Sequence, residues 1–180
     1  MAAYFERALF VVAPQDSGKS TTLRSLFCDW RLGRSGIPPP SSTHRKLPNV
    51  YRLSNERRLY LRLTSPHEYD ETLEEFHQKI QKEMGSEGRW SYAGPFQPDA
   101  YKKMPDVVVS VTAFARAFDP ERIRVVFLSP NRHGSELPSF LPGRDLMKEL
   151  LSIPKVEVMC VDGRQRDKNG LLLADFFDFT

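Results

Sequence analysis

The residues with the clearest capacity for chemistry are consecutive: Ala13-Pro14-Gln15-Asp16-Ser17-Gly18-Lys19-Ser20-Thr21, with Thr22 after them. Four residues precede Gly18-Lys19-Ser20, which is the spacing of a phosphate-binding loop, or Walker A motif. Each type has a task at that spacing. Backbone N–H groups of Ala13, Gln15, Asp16, Ser17, Gly18 and Thr21 are expected to ring a phosphate, and Gly18 lets the chain pass close to it. Lys19 is expected to reach the outer phosphates and Ser20 to offer its hydroxyl to Mg²⁺. The context fits as well. Leu9-Phe10-Val11-Val12 reads as a strand before the loop, and Leu23, Leu26, Phe27 and Trp30 follow at helical spacing. Strand, glycine loop and helix in that order set the phosphates at a helix N-terminus.

The frame around the loop is that of one domain spanning 1–180. A chain of 180 residues with 40% hydrophobic content is large enough to bury a sizeable core. No apolar run approaches the roughly 20 residues of a membrane helix. Glu6 and Arg7 interrupt what a secretory signal would keep apolar, so the expected location is the cytoplasm, away from membranes. Cys28 and Cys160 lack metal-ligand spacing and read as buried free thiols. The net charge of +3 is unevenly spread: between Arg31 and Arg62 eight basic residues face one acid, so this segment carries +7 and the remainder −4. Such a segment can neutralise a nucleotide or hold RNA or DNA, but it has no aromatic platforms spaced for stacking, and a solvated hairpin face is the preferred reading.

Along the chain, 31–48 reads as a long loop rich in Gly, Pro, Ser and Thr, followed by a hairpin of Val50–Leu53 and Leu59–Leu63. Tyr69 to Met84 has the stripe of a helix and Gly85 its stop. Ser86 to Pro105, with Trp90, Tyr92, Phe96 and Tyr101 among Gly and Pro, reads as a second irregular loop. The apolar runs Val107–Val111, Ile123–Leu128 and Val156–Val161 read as strands covered on both faces, with short helices over Thr112–Phe118 and about Gly143–Leu151 and a last one within Leu171–Phe179. The fold class is therefore α/β: a three-layer sandwich on a mostly parallel sheet with one antiparallel hairpin strand at an edge, and nucleotide at the carboxyl ends of the strands.

This order of elements resembles the Ras-like GTPase fold over nearly the whole chain. The resemblance rests on the intact Gly18-Lys19-Ser20 and on the Thr43 loop and Thr64–Asp70, which stand where that family keeps its two switches. It implies that Thr43 closes over Mg²⁺ together with Ser20. The sequence departs from the family at Leu63-Thr64-Ser65-Pro66-His67-Glu68, where the second switch has Asp-x-x-Gly, and at Asn131-Arg132-His133-Gly134, where the base-reading motif has Asn-Lys-x-Asp.

Since no Asp follows the hairpin directly, Glu68 and Asp70 are the candidates to bind Mg²⁺ through water or to orient an attacking water; capping of the next helix is their other reading. His67 is a further candidate for positioning water. Asp162 is a weaker metal candidate, and Asp106 begins its strand at the wrong end. Three functions follow. One is a small Mg-dependent NTPase or nucleotide switch on ATP or GTP, with Lys19, Glu68 and Asp70 catalytic. Another is a phosphotransferase whose aromatic 86–105 loop closes over an acceptor, with Arg164 or Arg166 supplying charge. The third is an inactive module that binds a protein partner inside a larger assembly.

Overall fold

A computed structural model of the chain describes residues 3–33, 49–134 and 142–179. The first strand, β1 (Tyr4–Val12), shows why a sheet forms at the centre. Its side chains alternate between two separate cores: Ala8, Phe10 and Val12 enter one, Leu9 and Val11 the other. A strand buried on both faces needs cover on both, and helices supply it. On the face of Phe10 lie α3 (Leu73–Met84), α4 (Val107–Phe118) and α5 (Arg144–Leu151), through Phe76, Ile80, Val107, Val111, Phe114 and Leu150. On the face of Leu9 lie α1 (Lys19–Arg24), the 3₁₀ turn Ser25–Cys28 and α6 (Arg166–Ala174), through Leu23, Leu26, Phe27, Leu173 and Ala174. The contact is close at Gly170, where a Cβ would stand 2.1 Å from the Ser25 carbonyl oxygen.

The other strands are β2 (Val50–Arg52), β3 (Arg57–Leu61), β4 (Arg89–Phe96), β5 (Arg122–Leu128) and β6 (Val156–Val161). A short helix, α2 (Trp30–Gly33), ends the first described segment. Strand order is β2-β3-β4-β1-β5-β6, with β2 antiparallel to β3 at one edge and every other pairing parallel. The expected α/β class with one antiparallel edge pair is thus present, and so is the alternating order of elements.

Two expected elements are corrected. Val107–Val111 is not a strand but the first half of α4; the Asp106 carboxylate caps it by accepting the Val109 N–H at 2.9 Å, so Asp106 begins a helix. The strand lies instead at Arg89–Phe96, inside the stretch expected to be an irregular loop. Trp90, Tyr92 and Phe96 are fully buried core residues there, while Tyr101 is exposed. Smaller differences follow the same lines. The helix expected from Tyr69 begins at Leu73, after a 3₁₀ turn over Pro66–Tyr69. Trp30 does not continue the stripe of the first helix and is 62% exposed. Cys28 and Cys160 are exposed, because the first ends the 3₁₀ turn and the second lies on the edge strand β6.

Three of the five described basic residues of the 31–62 segment pair with carboxylates. Arg31 pairs with Asp29 and Asp175, Arg57 with Glu6 and Asp178, and Arg62 with Glu71. Its members Arg34, Arg45 and Lys46 lie outside the described residues, as does Thr43. Among the described residues no helix is long and apolar enough to cross a membrane.

Candidate functional site

Because β1 lies between β4 and β5, the connection leaving β1 runs toward β2 and β3 while the connection leaving its neighbour β4 runs the opposite way to β5. The crevice beyond the carboxyl end of β1 is therefore a topological switch point, where open α/β sheets bind ligands. Loop 13–18 fills that position, between β1 and α1, and Lys19 and Ser20 open the helix. Asp16 (φ 58°) and Gly18 (φ 97°) are both left-handed, which turns the chain sharply before α1. Gly18 needs to be glycine twice over: its φ disfavours a side chain, and a Cβ there would lie 3.0 Å from Cβ of Arg132.

Lys19 is buried, at 5% exposure, and curls back onto its own loop. Its Nζ donates to the Ala13 carbonyl at 2.8 Å and the Pro14 carbonyl at 2.5 Å. Burial pushes its ammonium down to about 8, against the opposing pull of the Glu68 and Asp16 carboxylates. Ser17 is buried, whereas Ser20, Gln15 and Asp16 are exposed and Thr21 half-buried. A cleft of about 140 Å³ opens over the loop, lined by Asp16, Gly18, Lys19, Ser20, Leu63, Glu68, Pro95 and Arg132. It suits a phosphate group rather than a whole drug-sized ligand, for which pockets of about 300 Å³ or more are usual.

The structure separates the two candidate acids. Glu68 lines the cleft. Asp70 is left-handed (φ 55°) and turns away to Lys103, 3.3 Å distant, in a different groove with Glu75 and Lys79. His67 is fully buried beneath Glu68, with Nδ1 3.0 Å from Ser65 Oγ and its ring edge-on to Phe96. Burial, with the Lys19 charge adding to it, pushes its imidazole down to about 4, and it is not among the residues that line the cleft. Its position explains how Glu68 arrives. The 3₁₀ turn is pinned onto the end of β4 by His67, which carries Glu68 across β4 toward the loop. The hairpin itself is not the neighbour of β1, since β4 stands between, and β4 ends at the buried Phe96 without a carboxylate.

Arg132 is the cleft residue that sequence reasoning passed over, because 131–134 drew notice only as a departure from a base-reading motif. Its backbone N–H donates to the Ser17 carbonyl at 3.3 Å, and its methylenes lie over Gly18. Asp162, expected as a weak metal candidate, lies two strands from β1 and is held by Arg164 in a fork at 2.7 to 3.1 Å, which keeps its carboxyl below the ordinary range. Gly163 packs directly on loop 130–132, with a Cβ position 2.9 Å from the Asn131 carbonyl carbon. Among the described residues no group of three or more His, Cys, Asp or Glu side chains forms a metal cluster.

No protein-family model, no curated protein and no solved structure matches the chain.

Proposed function

We propose that the chain is a P-loop protein that binds a nucleoside triphosphate with Mg²⁺ and acts as a small NTPase or nucleotide switch. One observation carries this reading: a buried Lys19, tied to its own loop's carbonyls, faces Glu68 and Ser20 in an anion-sized cleft at the carboxyl end of β1. Loop N–H groups and Lys19 take the phosphates. The donors suit Mg²⁺, a hard cation that binds through one or two oxygen side chains plus phosphate and water rather than an all-protein cage. Ser20 supplies the hydroxyl, and Glu68 the carboxylate, directly or through water; Thr43 remains the proposed switch ligand. Bound there, Mg²⁺ neutralises charge on the transferred phosphoryl group. Glu68 is also placed to accept the proton of an attacking water. ATP and GTP both fit this reading.

A second reading, an inactive module that binds nucleotide or a protein partner, draws on β4, which neighbours the loop and ends without a carboxylate. The phosphotransferase reading loses its aromatic lid, since Trp90, Tyr92 and Phe96 are core residues. Calorimetric titration with MgATP, MgGTP and the diphosphates, followed by phosphate release, tests the proposal. The expected result is micromolar or tighter binding of one triphosphate, weakened at least about tenfold by Lys19→Ala, because losing a phosphate-paired charge costs over about 1.4 kcal/mol. Failure of every nucleotide to bind refutes it; binding without turnover selects the inactive module.

A further inference from the structure

We infer that the face formed by α3 and α4 is a self-association surface, on which a second copy of the chain docks end for end about a two-fold axis. It stands apart from the P-loop reading, since α3 and α4 cover the face of Phe10 and α1 the face of Leu9.

The sequence of α4, Val-Val-Val-Ser-Val-Thr-Ala-Phe-Ala-Arg-Ala-Phe, is apolar nearly all round, with Arg116 its only charge. A helix of that kind belongs in an interior. Yet only one side of it is covered: Val107, Val111 and Phe114 enter the core, whereas Val109 stays 49% exposed and Ala117 is exposed as well. With Leu73 and His77 of α3, the outward side of α4 walls a groove of about 870 Å³. Contiguous apolar surface rimmed by polar groups marks a place where another molecule sits.

The charges on the rim select the occupant. Because α3 joins β3 to β4 and α4 joins β4 to β5, the two helices run in the same sense, from the carboxyl toward the amino ends of the strands. Glu74 stands in the first turn of α3 and Arg116 in the last turn of α4, which places an acid at one end of the groove and a base at the other. Among the described residues neither has an ion-pair partner; Glu74 accepts from Gln78 Nε2 at 3.2 Å. A groove with unpaired opposite charges at its two ends is complementary to itself. A two-fold axis lying in the face and across the helices turns the second copy end for end, which sets Glu74 of each copy beside Arg116 of the other. Size then sets the strength. Two 12-residue helices side by side, each about 18 Å long and about 10 Å wide, offer a footprint of roughly 360 Å² per copy, against about 800 Å² in a standard complex, so the dimer comes apart on dilution.

Sedimentation velocity of the full chain over a range of concentrations tests this, with Glu74→Arg, Arg116→Glu and Val109→Glu compared and circular dichroism checking each fold. The wild type is expected to shift from monomer to dimer as concentration rises. E74R and R116E, each alone, set like charges together at both ends and are expected to weaken association at least about tenfold. An equimolar mixture of the two is expected to restore it, because the bases of one then face the acids of the other. V109E puts a charge on the apolar face itself and is expected to weaken association to the same degree without touching either pair. A wild type that stays monomeric at its highest soluble concentration overturns the inference and leaves the groove to a different partner. Association that survives V109E, or single reversals that the mixture does not rescue, removes this face from the interface.

Discussion

Lys19 offers the sharpest test, because its burial makes the proposed phosphate binding a proton-linked event. Burial pushes its ammonium down to about 8 from the ordinary lysine value of 10.5. The sign runs one way. Anions bind the charged form, so binding raises the Lys19 pKa and takes up the missing proton. At pH 8 about half the empty protein is neutral at Lys19, which predicts uptake of about 0.5 proton per nucleotide; at pH 9 the figure is about 0.9. Affinity should fall with the protonated fraction, by about eightfold between pH 7.5 and pH 9. The phosphate's own last proton leaves near pH 6, so it does not contribute in this range. Calorimetry in two buffers of different ionisation enthalpy reads the uptake directly, and the same titrations give Kd. A flat Kd across pH 7.5 to 9 with no uptake would refute the placement of phosphate against Lys19. In the empty protein the linkage has the opposite look: a lysine whose folded pKa is depressed makes folding more favourable as pH rises from about 8 toward its unfolded value.

Two further outcomes follow from the same geometry. Ser20→Ala should weaken triphosphate binding several-fold more in Mg²⁺ than in EDTA, since the proposed partner of its hydroxyl is the metal; equal losses would remove that role. Glu71 accepts from Arg62 at 2.8 and 2.9 Å and from Lys79 at 2.6 Å, so Glu71→Ala leaves Arg62 buried without its carboxylate and should cost roughly 3 kcal/mol in urea denaturation. Those guanidinium and ammonium bonds hold the Glu71 carboxyl below its ordinary range despite burial, so its contribution is present near neutral pH and is lost as pH falls through the depressed pKa.

What the sequence concealed has local causes. Gly94 and Pro95 break the pattern of β4, and both are required by what surrounds them. Tyr92 folds over position 94, where a Cβ would lie 2.0 Å from its hydroxyl, so only glycine leaves room for that ring in the core. Pairing of β4 with β3 ends at Ala93, so Pro95 falls where the strand is locally an edge and a missing N–H is tolerated. In α4 the opposite happened: three consecutive valines and a fourth after Ser110 look like a buried strand, yet Val107, Val111 and Phe114 are the core residues, at helical spacing behind the Asp106 cap. The loop was legible because its chemistry is contiguous, from Ala13 to Ser20. Glu68 was half legible, as one of two acids that only the left-handed turn at Asp70 tells apart. Arg132 was legible only as part of a departure from a base-reading motif, which gave it no place over the loop. It belongs to the site only through the crossover that sets β5 beside β1, and a residue whose role is created by topology can be found only once the strand order is known.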